Sequence, residues 1–226
     1  MSIEIQGGLS GNVAEVDPTH RALRAANRPT EYGALGHYRF AAVTGTMAAA
    51  LAAGAVVFSA RWAAAAGFAL ITRLRLRFMP LTPFTGATLT DHTSFNLFRA
   101  TTFTASHTGG NAITPSKMRT AMPASAFTDI RLASTAALGA GAGLTLDAQP
   151  IAMSLRRGNR TNPAAATEET IPPLDDAGLL IDVGSGEHPV VLGTSEGLVM
   201  TNRTVWPAAG TGIILVEMAW SEAAAY

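Results

Sequence analysis

The segment from Phe68 to Phe78 has the clearest alternation of hydrophobic and polar positions in the chain. One face of this segment carries Leu70, Thr72, Leu74, Leu76 and Phe78, and the other carries Arg73, Arg75 and Arg77. Strict alternation over this length predicts a half-buried strand. Residues two apart on a strand lie roughly 6.6–6.8 Å apart, so the three arginines would form a row of guanidinium groups.

Shorter runs of strand-forming residues lie on both sides of this segment and are separated by turns rich in glycine, proline and asparagine. These predicted strands are Tyr38–Thr44, Val56–Trp62, Ser94–Phe103, Thr128–Ser134, Gly143–Pro150, Ile151–Leu155, Leu179–Val183, Pro189–Leu192, Gly197–Asn202 and Gly212–Trp220. One short helix is predicted around Pro115–Met122, because proline suits the first turn of a helix. Many short strands without βα alternation predict an all-β fold, a β-sandwich or jelly-roll-like single domain.

Residues 1–37 are predicted to form an extended N-terminal arm, and residues 38–226 form the β-sandwich body. Turn-forming pairs such as Gly7-Gly8, Asp17-Pro18 and Arg28-Pro29 interrupt the arm, so no long helix or strand fits it. Terminal arms are usually ordered only where a neighbouring surface holds them. We therefore expect the arm to lie across another protein.

The stretch from Phe40 to Ala60 contains no charged residue and is long enough to span a bilayer. About half of it is alanine or glycine, and Thr44–Thr46 and Gly54 interrupt its apolar residues. Two short strands explain this pattern better than a membrane helix does. The first residues also lack the basic and apolar regions of a secretory signal. We therefore expect a soluble protein with no membrane partner.

Composition excludes several classes of function. The chain has no cysteine, which rules out disulfides, cysteine-ligated zinc or iron–sulfur clusters, and thiol catalysis. Sixteen basic residues balance sixteen acidic ones, whereas a nucleic-acid-binding protein usually has a clustered basic excess. We therefore predict no nucleic-acid partner. A net charge near zero also favours self-association.

The segment Gly193-Thr-Ser-Glu-Gly197 matches the G-x-S-x-G motif of a nucleophile elbow. That motif requires a helix after the serine and a histidine further along the chain. The residues after Gly197 favour a strand, and no histidine follows His188. We interpret the segment as a hairpin turn in which the two glycines adopt unusual backbone angles.

The histidines are dispersed and show no metal-binding spacing. They are His20, His37, His92, His107 and His188. A jelly roll could still assemble a metal site from distant strands, for example with His92 beside Asp91 or His188 beside Glu187. The simpler interpretation is that these histidines cap backbone groups in loops. Because no phosphate-binding glycine motif is present either, we predict no catalytic residue, no metal and no cofactor.

The arginine row allows three interpretations. It can be a solvated outer face that pairs with acids on neighbouring strands, such as Asp129 or Glu217, because like charges on one sheet face are unfavourable. It can also dock onto an acidic protein surface. Nucleic-acid binding is disfavoured by the zero net charge.

Four patches of sequence resemble virion structural proteins of tailed bacteriophages, of the capsid decoration (cement) type. They are Arg28–Arg39, Thr44–Met47, Leu146–Ile151 and Val216–Glu222. The resemblance implies a sandwich or jelly-roll body that binds the outside of a major capsid protein lattice in many copies. It also implies a homo-oligomer, trimer or dimer, whose terminal arms bridge neighbours, and it brings no catalytic residue.

We therefore expect a structural virion protein that stabilises a phage capsid, is not an enzyme, and is made in the host bacterial cytoplasm before it joins the capsid surface. The candidate interface residues, with the aromatic ones expected to be exposed, are Arg28, Tyr32, His37, Tyr38, Arg73, Arg75, Arg77 and Trp206. An alternative is a head-fibre, tail or baseplate component that binds the host or its glycans, for which tryptophan or tyrosine should line a groove. A hydrolase or cupin-type enzyme would instead need a reactive Ser195 or a metal.

Overall fold

Two antiparallel sheets form the larger part of the molecule. The computed structural model describes residues 6–7, 12–13, 35–48, 50–85, 92–157, 160–161, 168–169, 178–183 and 188–225. The chain divides into two compact units, Met1–Glu31 and Tyr32–Tyr226. In the first unit the described residues form one antiparallel pair, β1 (Gln6–Gly7) with β2 (Asn12–Val13). The prediction of an extended arm over residues 1–37 lies largely outside the described residues.

Over its described residues the second unit contains fifteen strands and no helix. Its strands are β3 (Gly36–Val43), β4 (Val56–Arg61), β5 (Phe68–Thr85), β6 (His92–Thr102), β7 (Asn111–Ala112), β8 (Ser116–Lys117), β9 (Asp129–Leu132), β10 (Thr145–Leu146), β11 (Ala152–Arg157), β12 (Arg160–Thr161), β13 (Glu168–Glu169), β14 (Leu179–Asp182), β15 (Val190–Leu192), β16 (Gly197–Asn202) and β17 (Ala209–Ala223). The predicted all-β fold is therefore confirmed.

The larger sheet is built around β17, which pairs with β5 on one edge and with β3 on the other. β8 pairs with the other edge of β3. The edge of β5 that faces away from β17 pairs with β15, β14 and β12, in that order along β5. The smaller sheet has the order β10–β6–β16–β4–β9–β7, with β11 also paired to β6. The two sheets face each other as a β-sandwich.

Alternating side chains from both sheets fill the space between them. The main core includes Leu74, Leu76, Val216 and Met218 of the larger sheet and Phe58, Leu198 and Met200 of the smaller one. Aromatic rings join the layers: Phe40 and Phe58 lie 6.0 Å apart, and Phe78 and Phe95 lie 6.2 Å apart. Interlocking rings of this kind bury large apolar areas and hold the sheets at a fixed separation.

A β-bulge at Thr72 alters the faces predicted for β5. Trp220 pairs with Ile71, but the next residue back along β17, Ala219, pairs with Arg73, so Thr72 is the extra residue. Before the bulge the residues that face the main core are therefore Ala69 and Ile71, not Leu70 and Thr72. After the bulge the predicted alternation holds, with Leu74 buried and Arg73 exposed.

The short helix predicted around Pro115–Met122 is wrong. This segment contains strand β8, which pairs with β3 through Tyr38 and Lys117, followed by a turn in which the Met122 amide donates to the Arg119 carbonyl. Pairing with an existing strand edge satisfies backbone groups that one helical turn would leave open. None of the described segments is a helix with the length and hydropathy needed to cross a membrane.

Trp220 is fully buried, and its ring stacks on Tyr38 with the ring centres 5.8 Å apart and meets Phe127 edge-to-face at 5.4 Å. We expect Trp220→Ala to lower the free energy of unfolding by about 3–5 kcal/mol, because it leaves a cavity among these rings. Urea denaturation measures this change. Val205→Ala, at a position 58% exposed, is the control and should change stability by less than about 0.5 kcal/mol. A similar effect of both substitutions would contradict this description of the core.

Candidate docking face

The outer face of β3, β17 and β5 brings most of the predicted interface arginines together. Inward side chains on these strands fill the core, so the alternate positions point away from it. We call these outward residues the arginine face. Its members are Arg39, Ala41, Val43, Arg73, Arg75, Arg77, Met79, Ile213, Leu215, Glu217 and Ala219.

Strand register arranges the arginine face in rows that cross the three strands. In one row Ala219 lies between Arg39 and Arg73, and Asp182 of β14 follows Arg73. In the next row Glu217 lies between Ala41 and Arg75, and in the third Leu215 lies between Val43 and Arg77. Neighbouring strands are about 4.8 Å apart, so the ends of each three-strand row are separated by about 10 Å at the backbone.

Positive charge dominates one half of this face. The ion pairs among the described residues are Arg61–Asp129 and Arg99–Asp147, and neither involves an arginine of the face. Glu217 lies directly opposite Arg75, as one of the two predicted acidic neighbours. The prediction that Asp129 is the other acidic neighbour is wrong, because Asp129 lies in the smaller sheet and binds Arg61 at 2.5 Å. The Nε of Arg75 is buried and has no hydrogen-bond partner.

The other half of the face is apolar. Met79 is 51% exposed and Val43 is 43% exposed, while Ile213 and Leu215 beside them are partly buried. Because Ile213 pairs with Met79, these four side chains form one continuous group next to Arg77. Exposed apolar side chains beside arginines are typical of surfaces that bind other proteins.

Two of the three aromatic residues predicted to be exposed, Tyr38 and Trp206, are buried. Tyr38 is 0% exposed and Trp206 is 1% exposed, so the expectation that they form part of an open interface is wrong. Tyr38 points inward from β3 and stacks on Trp220, and Trp206 packs edge-to-face on Phe78 at 5.2 Å. These rings lie in the core because burying a large aromatic surface stabilises the fold more than exposing it does.

The remaining predicted interface residues have different positions. His37 lies near the start of β3, partly buried, and its Nδ1 is 2.7 Å from the Ser221 hydroxyl oxygen. Arg28 and Tyr32 lie outside the described residues. Arg39 is the member that the sequence pattern missed, because its place beside Arg73 depends on pairing through β17 rather than on spacing along the chain.

The sequence pattern did not predict the buried carboxylate of Glu222 near the start of β3. Glu222 is 2% exposed and accepts hydrogen bonds from the Ser125 hydroxyl at 2.5 Å, the Ala126 amide at 3.0 Å and the Trp220 indole at 3.2 Å. The Tyr38 hydroxyl donates to the carbonyls of Leu35 and Pro123. Burial, and then the charge of Glu222, raises the pKa of Tyr38. These groups tie the 123–127 loop to the sheet.

The Gly193–Gly197 segment is a connection between the two sheets rather than the predicted hairpin. It joins β15 of the larger sheet to β16 of the smaller one, and no helix follows it. The unusual backbone angle is at Ser195, with φ of 63°, and not at either glycine. Gly197 is required for space, because a Cβ there would approach the Ala60 carbonyl oxygen to 2.4 Å.

The Ser221 hydroxyl forms a hydrogen bond with the His37 imidazole, but this pair does not provide an accessible nucleophile. Ser221 is 1% exposed, so its hydroxyl cannot meet a substrate without local opening. The described residues contain no group of three or more histidine, cysteine, aspartate or glutamate side chains placed to hold a metal.

His107 does not cap a backbone group through Nδ1 as predicted for the histidines. It is 2% exposed, its Nδ1 has no hydrogen-bond partner, and its ring meets Phe103 edge-to-face at 5.1 Å. Phe103 belongs to a second, smaller apolar cluster with Ala100 and Val199. Burial lowers the pKa of His107, and the charge of Asp129 opposes part of that effect.

This burial predicts loss of stability in acid. The unfolded chain binds a proton at His107 below about pH 6.5, whereas the buried imidazole of the folded chain binds it only at lower pH, so the free energy of unfolding falls as pH drops below about 6.5. We expect His107→Leu to lose less stability than the natural chain between pH 7 and pH 5, measured by urea denaturation. Val205→Ala, at an exposed position with no titratable group, is the control and should show the same acid loss as the natural chain. An unchanged acid loss in His107→Leu would contradict this prediction.

The arginine row should carry a measurable cost in stability. The backbones of Arg75 and Arg77 are about 6.7 Å apart along β5, and two like charges at that separation repel by about 0.6 kcal/mol in water. We expect Arg77→Gln, which keeps most of the aliphatic stem, to raise the free energy of unfolding by up to about that amount at low salt. Arg203→Gln, at an exposed position in a turn of the other sheet, should have no such effect. A loss of stability in Arg77→Gln would contradict the charge repulsion.

Comparison of the chain with family models, with curated proteins and with solved structures finds no match.

Proposed function

We propose that this chain is a structural virion protein that binds the outside of a phage capsid lattice and stabilises it, as a decoration or cement protein. The observation that carries the proposal is the arginine face, a surface with four arginines beside two exposed and two partly buried apolar side chains. Arginine and methionine are enriched where proteins bind each other. The resemblance of four sequence patches to phage virion proteins supports the same role.

The shape of the arginine face suits protein docking better than small-molecule chemistry. Small-molecule sites are concave, with a few polar groups converging on one point. The outward side chains of β3, β17 and β5 instead spread over one side of a sheet, and its backbone is held by pairing on both sides of β17. A rigid, shallow surface of this kind can meet a shell without large rearrangement.

Many weak contacts can hold such a protein on a capsid. A shell repeats the same surface many times, so modest affinity at each copy still covers it, and contacts that link copies add through multivalency. We propose the major capsid protein as the partner, with the chain itself a dimer or trimer and its arm, residues 1–37, bridging neighbours. The zero net charge of the chain argues against the packaged nucleic acid as the partner.

The alternative, a fibre, tail or baseplate component that binds the host or its glycans, has less support. Glycan grooves usually present tryptophan or tyrosine rings, but Trp62, Trp206 and Trp220 are all buried, as is Tyr38. An enzyme of the hydrolase type has less support as well, because Ser195 lies in a turn between two strands.

Binding to assembled shells tests the proposal. We expect the purified chain to co-sediment with shells of the major capsid protein from the same phage, and quantitative mass spectrometry of particles to find copy numbers comparable to that protein. Arg77→Glu should weaken co-sedimentation several-fold, since it reverses a charge on the face, and Arg203→Glu should not. Failure to bind shells would overturn the proposal, and only a few copies per particle would favour the neck, tail or baseplate instead.

A further inference from the structure

We infer that Arg39 and Arg73, with Ala219 between them, form a binding site for an aspartate or glutamate side chain of a partner protein. The inference rests on the proposed function and deepens it by naming the chemistry of the partner surface, which is acidic with apolar residues beside the acid. The three residues occupy one row of the arginine face, on β3, β5 and β17 respectively.

The geometry of this row leaves room for a carboxylate. The backbones of Arg39 and Arg73 are about 10 Å apart across the row, and only the methyl group of Ala219 stands between them. In the next row Ala41 is also small. Two exposed guanidinium groups can therefore approach one carboxylate from opposite sides, and arginine is suited to this because its planar fork donates paired hydrogen bonds.

Among the described residues, no ion pair neutralises the exposed arginines of the face. Arg39, Arg73 and Arg77 are exposed, and no ion pair between described residues involves them. The described acids near the site are Glu217, in the next row beside Arg75, and Asp182, in the same row on the far side of Arg73. Four arginines against these two acids leave a positive surface, which complements an acidic one.

A second copy of this chain is a poor occupant of the face. Two-fold packing of the arginine face on itself would bring the arginines of each copy close together. A double-stranded nucleic acid complements the charge, but it offers nothing to the apolar half formed by Val43, Met79, Ile213 and Leu215. An acidic protein surface with a neighbouring apolar side chain matches both halves.

Substitution at Ala219 tests the site with one change. Ala219→Glu places a carboxylate of the chain itself between Arg39 and Arg73, where opposite charges on adjacent strands stabilise a sheet. We expect this variant to be at least as stable as the natural chain and yet to have lost its binding. Ala208→Glu, at an exposed position in a turn, adds the same charge elsewhere and is the matched control.

The probe is fluorescently labelled poly-L-glutamate, and binding to the full chain is followed by anisotropy at low and physiological salt. We expect salt-sensitive binding that Arg39→Gln and Arg73→Gln each weaken about threefold to fivefold, and that the double variant weakens about tenfold or more. Ala219→Glu should reduce binding at least as much as the double variant, whereas Ala208→Glu and Arg203→Gln should stay within about twofold of the natural chain.

The outcomes separate this inference from the proposed function. No binding of poly-L-glutamate, or binding that Ala219→Glu leaves intact, overturns the carboxylate site even if the chain decorates shells. Tighter binding of a DNA duplex through the same two arginines would also overturn it. Arginine-dependent binding of poly-L-glutamate without any binding to shells would support the carboxylate site and overturn the proposed function.

Discussion

Pairing of β17 with both β5 and β3 is the constraint on which the rest of the structure depends. β17 runs from Ala209 to Ala223 with a neighbour on each side over much of its length, so its register determines which residues of three strands lie side by side. The pleat then divides those residues between two surfaces. One surface carries Phe40, Leu74 and Met218 into the core, and the other carries the arginines outward.

Because the same three strands form both the core and the arginine face, the chain can hold like charges close together. The arginines repel one another, but the same strands bury an aromatic core whose contribution to stability is much larger than that repulsion. Their backbone positions are fixed by the ladder rather than by the side chains themselves. A surface that is locally unfavourable but kept rigid is the combination expected where a fold carries a binding function.

Several groups with the chemistry of an active site have structural roles instead. The Glu222 carboxylate accepts hydrogen bonds from Ser125, Ala126 and Trp220, and the His107 imidazole is buried beside Phe103. Ser195 turns the chain from one sheet into the other. Each of these groups is explained by packing or backbone geometry.

Local alternation was enough to predict the β-sandwich, most of its strands and the three arginines of β5, because the period of side chains along a strand is a property of the sequence itself. It could not predict the bulge at Thr72, the addition of Arg39 to the face or the burial of Tyr38 and Trp206. Those features depend on which strands pair and in what register, and strands as far apart in the chain as β3 and β17 meet only in the folded molecule. The sequence by itself therefore determined the type of surface that one strand presents, and the tertiary structure decided which residues share that surface.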